Sequence, residues 1–309
     1  MKSDLFLKKK LLVITGKGGV GKSTIAASLG LLAASQGRKT LIAEINTQGQ
    51  MAGFFNKPPL KYSPSLLAPN LYGINIFPKK SFEEYVLLQI RFRKLYSLVF
   101  ENRFVSYFIE ATPGLAELMS IGKIYALIKD YDLVILDAPA TGHGFSLLQV
   151  PSVVAGAVRV GPLKSESEKI ESLLKDAEKT TLIAVSLPEE MPVNETCEMA
   201  QKTKSQLGLS IEAVIINQVF PEPMPPREIA LFQRSKKQLE SDSDLRPLAT
   251  CMEAYLNRYF LQQDHIQTLV TTFGEKRCLK IPYQFNDQLK KGDVERISAL
   301  LHSQLEAMD

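Results

Sequence analysis

Gly16, Gly18, Gly19 and Gly21 crowd into one short stretch and are followed at once by Lys22 and Ser23, within LLVITGKGGVGKST, Leu11 to Thr24. A glycine, four residues and then Gly-Lys-Ser is the pattern of a loop that wraps nucleotide phosphates. Phosphate oxygens need a ring of backbone N–H donors at close range, and only glycine lets the chain turn that tightly with no Cβ in the way. Gly16, Lys17, Gly18, Gly19, Val20, Gly21, Lys22, Ser23 and Thr24 form the expected nucleotide-binding stretch. Lys22 reaches the β- and γ-phosphates, and Ser23 ligates Mg²⁺. A second carboxyl-bearing site lies downstream in DYDLVILDAPATGH, Asp130 to His143, where an apolar run ends in Asp137. A carboxylate there can hold a water on Mg²⁺, which makes Asp137 a metal and catalytic candidate. Asn217 ends another apolar run, IEAVIINQ, and its side-chain amide offers both a donor and an acceptor to an adenine edge.

These residues need a scaffold. Leu11 to Thr15 reads as a buried strand, and a helix begun at Ser23 with Ile25, Leu29 and Leu32 on one face turns its positive end toward the phosphates. Gly37 stops that helix and Thr40 to Ile45 forms the next strand. Strand, helix, strand opening on such a loop is the βαβ unit of a parallel sheet. The segment Glu44 to Gln50 leaves the second strand at its C-terminal end, where these sheets hold ligands. Glu44 or Asn46 could orient an attacking water there; a solvent-facing or structurally paired Glu44 is the alternative. Leu133 to Leu136, Thr181 to Ser186, Ile211 to Gln218 and Cys278 to Pro282 read as further strands. Ala138 to His143 reads as a second switch loop near the γ-phosphate, with His143 either catalytic or a hydrogen-bonding residue behind the site.

Two stretches depart from the alternation. Residues 51–131 read as a first helical insertion: a proline-rich loop, a helix from Ser81 to Phe108 opened by a Ser81–Glu84 capping box, then Leu115 to Lys129. The apolar residues of 82–100 cover more circumference than one core face requires. They serve a closed subdomain core or a surface for a hydrophobic protein client. Residues 221–276 read as a second helical insertion. A single domain, residues 1–309, is expected: a doubly wound, mainly parallel α/β sheet with two helical insertions.

The net charge of +4 is too small to argue for nucleic acid. Cys197, Cys251 and Cys278 are dispersed and form no CxxC pair, so a reducing, cytoplasmic setting is expected. No uncharged apolar run is long enough to span a bilayer.

GKGGVGKS, with Lys17 just after the first glycine, resembles the phosphate loop of a family of dimeric ATPases that includes septum-positioning, partitioning, nitrogenase-iron-protein and arsenical-pump ATPases. In that family this lysine reaches across a dimer interface to the partner's nucleotide, so the resemblance implies a homodimer, ATP as the nucleotide and a catalytic role for Lys17 beside Lys22. DAPATGHGFSLLQVP, Asp137 to Pro151, is similar to the arsenical-pump signature D-T-A-P-T-G-H-T-x-R-x-L-x-x-P, shared with eukaryotic tail-anchored-protein targeting factors. It keeps Asp137, Thr141, Gly142 and His143, moves the proline to Pro139 and puts Gly144 where a threonine stands. The resemblance also carries base contact to Asn217 and a loop over the adenine to Pro282. One departure concerns turnover. The family's first switch is D-P-A-H, and alignment sets Ile45 opposite its aspartate, with Glu44 and Asn46 on either side. Fast hydrolysis then requires Glu44 to substitute, and a slow ATPase is the alternative.

The expected activity is Mg²⁺-dependent ATP hydrolysis coupled to dimer closure and to a hydrophobic protein client. An arsenite-stimulated pump subunit would need thiolates converging on a soft metalloid, which three scattered cysteines do not suggest. A regulatory ATPase acting on DNA or membrane fits poorly with the modest charge and with a closing helix, from Gly292, that lacks a basic face.

Overall fold

Leu11–Thr15 forms β1, and all five of its residues are buried. A strand closed on both faces belongs inside a parallel sheet. β1 lies there between two parallel neighbours. Its side chains alternate between two cores: Leu11 and Val13 enter one, Leu12 and Ile14 the other. The computed structural model describes residues 6–47, 49–89, 112–286 and 288–307.

The chain continues through α1 (Lys22–Ser35), β2 (Thr40–Ile45), the short α2 (Gln50–Phe54), β3 (Ser65–Ala68), β4 (Leu71–Ile76) and α3 (Pro78–Gln89). Then come α4 (Leu115–Leu127), β5 (Leu133–Asp137), α5 (Thr141–Ala157), α6 (Pro162–Lys175), β6 (Thr180–Ser186) and α7 (Glu190–Lys202). The last elements are β7 (Ile211–Val219), α8 (Pro226–Ser241), α9 (Arg246–Phe273), β8 (Cys278–Pro282) and α10 (Lys291–Glu306). The described strands form one eight-stranded sheet in the order β3-β4-β2-β5-β1-β6-β7-β8. Every pairing is parallel except β3 with β4.

Helices cover both faces. Ile25 and Leu29 of α1 and Val294, Ile297 and Leu301 of α10 pack with Leu12 and Ile14. Leu118 of α4, Leu148 of α5, Ile170 of α6, Val193 of α7 and Ile266 of α9 pack with Leu11 and Val13. The doubly wound, mainly parallel α/β fold read from the sequence is therefore observed. The chain leaves β1 toward β2 on one side and returns to β6 on the other. The order reverses about β1, and ligands bind such sheets outside the strands' carboxyl ends at that reversal. None of the described helices is long and apolar enough to cross a membrane.

Three local expectations are corrected. Residues 51–131 are not wholly loop and helix, because β3 and β4 lie among them and β4 pairs with β2 across its whole length. Asn70, at φ 59, makes the turn between them. The expected helix across 90–108 lies outside the described residues. Ser81 and Glu84 do not cap α3, which starts earlier at Pro78. The Ser81 hydroxyl instead donates to the Phe77 carbonyl, and Glu84 accepts from Tyr62 and Lys123. The second switch is shorter than read, since α5 begins at Thr141 and takes Gly142 and His143 into its first turn. Between β7 and β8 stand α8 and α9, separated at 242–245.

Candidate nucleotide site

The loop from Gly16 to Gly21 joins the end of β1 to α1. Gly16, Gly19 and Gly21 all take positive φ, at 145°, 84° and 93°. At two of them neighbours also forbid a side chain. A Cβ on Gly16 would fall 2.2 Å from the Val185 carbonyl oxygen, and one on Gly21 would fall 2.3 Å from Asn217 Nδ2. The loop is thus pressed against the residues of β6 and β7 as well as turned by its glycines.

Lys22 folds back over this loop, its Nζ donating to the Lys17 carbonyl at 3.0 Å. Burial pulls its ammonium below the ordinary lysine range, against the opposing pull of the Asp137 charge. Ser23 Oγ donates to Asp137 Oδ2 at 2.5 Å. Asp137, 6% exposed at the end of β5, is held above the usual carboxylate range by burial, opposed by the Ser23 bond and Lys22. The sequence motifs separated by more than a hundred residues therefore meet in one cluster of Lys22, Ser23 and Asp137.

Glu44 joins them. It stands one residue before the end of β2, at the position paired with Asp137 on β5, and is 1% exposed. Burial and then the neighbouring Asp137 charge push its carboxyl up to about 7, although Thr47 and the Met51 backbone hydrogen-bond to it. The alternative of a solvent-facing Glu44 is excluded, and no lysine pairs with it among the described ion pairs. Asn46, the other first-switch candidate, is exposed at φ 49, its N–H donating to the Ile76 carbonyl.

The remaining candidates fall on the same rim. Asn217 is buried beneath the loop, its Nδ2 donating to the Val20 carbonyl at 2.9 Å. Pro282 ends β8, next to β7. Lys17 Nζ is 2.6 Å from Glu195 Oε1 on α7. Sequence reading missed Glu195, which stands 178 positions away in a helix with no motif of its own. It also missed Asn75 on β4, which accepts the Thr47 N–H and donates to the Thr47 carbonyl at 2.7 Å, bracing the segment after Glu44. An asparagine inside the apolar run LYGINI was the available signal.

The donor set suits a hard divalent cation. Glu44 Oε2 and Asp137 Oδ1 are buried with no hydrogen-bond partner, and the Ser23 hydroxyl sits on the other oxygen of Asp137. Carboxylate and hydroxyl oxygens are what Mg²⁺ prefers. Such a cation would supply charge neutralisation for bound phosphates.

A glycine-wedged loop on a central parallel strand, opening a helix beside a strand-end aspartate, defines a phosphate-loop nucleotide-binding protein. Comparison with known proteins narrows the class. A family model described as anion-transporting ATPase matches residues 9–163 and 157–243. ATPase BagA of Mycobacterium tuberculosis is 31% identical over 255 residues, covering 76% of this chain and 72% of that one. ATPase ASNA1 homolog 2 of Paramecium tetraurelia is 25% identical over 277 residues, 76% of this chain and 84% of that one. An ATPase ASNA1 homolog of Dictyostelium discoideum is 26% identical over 276 residues, 77% and 81% of the two chains. The chain belongs to the anion-transporting ATPase family and is an ATP hydrolase.

Proposed function

We propose that this chain is a Mg²⁺-dependent ATPase of the arsenical-pump and tail-anchored-targeting type, working as a homodimer whose closure over nucleotide is coupled to a hydrophobic protein client. The cluster of Lys22, Ser23 and Asp137 carries this reading. The amides of Gly16 to Thr24 and the Lys22 ammonium hold the phosphates; Ser23 and Asp137 hold Mg²⁺; Asn217 and Pro282 flank the base. Phosphoryl transfer asks the protein mainly for positioning and charge stabilisation, and these groups offer both. Glu44 orients the attacking water. Lys17 acts on the partner's nucleotide.

A groove of about 960 Å³ between α3, α4 and α6 supports the client reading. Tyr85, Leu88, Leu118 and Met119 line it together with Lys123 and Glu166. The arsenite reading is weakened by Cys278, whose thiol burial pushes up to about 11, away from the thiolate a metalloid needs.

Phosphate release from ATP with and without Mg²⁺, with light scattering of the ATP-bound chain, tests the proposal. Metal-dependent turnover and an ATP-dependent dimer are expected; a monomer at saturating ATP removes the dimer reading. Glu44→Ala at saturating Mg²⁺ is expected to lower hydrolysis by about tenfold or more, as loss of a positioned base does, with ATP affinity unchanged.

A further inference from the structure

The groove between α3, α4 and α6 changes character along its length. Beside the first turns of α4 its wall is apolar, built from Tyr85, Leu88, Leu118 and Met119. Leu88 is 79% exposed. From Leu118 the groove follows α4 and the turn after it to Lys129, about eleven residues and about 16 Å further on. That far end meets the foot of β1, where Lys10 Nζ donates to the Tyr131 carbonyl at 3.4 Å. The acidic residues of the described wall are all paired: Glu84 with Lys123 at 2.7 Å, Glu166 with Lys169 at 2.8 Å and Glu168 with Lys164 at 3.7 Å. Lys179, beside Lys10, pairs with Asp176. Lys10 and Lys129 enter none of the described ion pairs. One end of the groove is therefore apolar, and the other carries two lysines that no described carboxylate offsets.

Volume sets a second limit. An α-helix about 10 Å across has a section of about 80 Å², so a groove of about 960 Å³ holds about 12 Å of it, or about eight residues. A helix that spans a bilayer needs about 20. We infer that the groove receives a short apolar stretch of a helical protein client, and that Lys10 and Lys129 select clients in which acidic side chains flank that stretch. The inference rests on the client reading above and names which clients that reading admits. An apolar wall alone accepts any apolar segment, because burial of such surface is non-directional. Two cations at one end add a direction and a preference, since charges at the margin of an interface contribute specificity more than affinity. A lysine just past the end of a helix also suits that helix's own dipole, a role that needs no client. Lys10 has no such explanation, because it precedes a strand.

The test measures fluorescence anisotropy of two labelled helical peptides added to the full chain, with ATP and Mg²⁺ and without nucleotide. Both peptides share an apolar stretch of about eight residues; one is flanked on both sides by glutamates, the other by lysines. The glutamate-flanked peptide is expected to bind about three- to tenfold tighter, a margin that narrows as salt is added. Lys10→Gln with Lys129→Gln is expected to erase the preference, and Lys10→Glu with Lys129→Glu to reverse it, with melting temperature and ATP turnover unchanged in both. Equal affinity for the two peptides in the parent chain overturns the inference and leaves the client reading standing. So does an order of affinity that both double variants keep. A chain that binds neither peptide in either nucleotide state removes the groove as a client site, and the inference falls with it. Displacement of bound peptide by oleate at lower concentration than by unlabelled peptide assigns the groove to a lipid and overturns the inference as well.

Discussion

Lys17 Nζ and Glu195 Oε1 sit 2.6 Å apart, joining the phosphate loop to α7 within one chain. Both side chains are about one-third exposed, at 32% and 30%. Such a half-solvated pair stabilises by at most about 1 kcal/mol. That is small enough to be exchanged for a phosphate charge. A Lys17 that serves a partner's nucleotide must first leave Glu195, so the pair opposes closure. Glu195→Gln is therefore expected to lower the ATP concentration for half-maximal dimer by about two- to fivefold, read by light scattering. Lys17→Ala is expected to keep ADP binding and lose the ATP-dependent dimer. A Lys17→Ala chain that still dimerises with ATP would remove the trans role.

Asn217 can be tested as a brace and as a base contact in one experiment. Asn217→Ala leaves the buried Val20 carbonyl without its donor, at a cost of about 1–3 kcal/mol. The variant is expected to melt lower and to bind ADP and pyrophosphate more weakly by similar factors, because the loop itself loosens. Weakened ADP binding with unchanged pyrophosphate binding would assign Asn217 to the adenine alone.

The two reasons for glycine in the loop separate by position. Gly16→Ala meets both a positive φ and a backbone carbonyl at 2.2 Å, which cannot swing aside as a flexible side chain does. Gly19→Ala meets only the positive φ, with nothing within 4 Å, and is expected to cost about 1–2 kcal/mol. Gly16→Ala is expected to lower stability by clearly more than Gly19→Ala in urea titrations, and equal losses would contradict the wedge.

Cysteine labelling gives a pH-dependent check. The Cys278 thiol, pushed up to about 11 by burial, remains protonated through neutral pH. Since the thiolate is the nucleophile, iodoacetamide is expected to leave Cys278 unmodified at pH 8 while exposed Cys251 reacts. In the native chain, Cys278 labelling should rise only as pH approaches 11. Equal rates at pH 8, followed by peptide mass mapping, would refute the burial argument.

The site was legible where chemistry is local in sequence. Gly16 to Ser23 carries its geometry in its own spacing, and an apolar run ending in Asp137 announces a strand end near it. Strands with unbroken Leu, Ile and Val were equally plain, including Leu11–Thr15 and Leu133–Asp137. β3 and β4 were not, because the prolines before them read as loop and Gly73 and Asn75 interrupt the apolar pattern of LYGINI. Glu44 could be named as a candidate but not as a buried one, since its partner Asp137 arrives through sheet register. The partners of Lys17 and Asn217 were out of reach for the same reason: Glu195 and Val20 lie 178 and 197 positions away. Long-range pairing of polar side chains leaves no periodic trace.

The outer strands of the sheet also constrain how two copies of this molecule can meet. β3 is four residues long, runs against its neighbour and is interrupted by a bulge, while β8 is five residues long and ends in a proline. Short, irregular or proline-ended margins are poor templates for backbone ladders between chains. Association by continuous β-pairing is thereby discouraged at both borders of the described sheet, so the proposed homodimer would have to form through some surface other than a shared sheet.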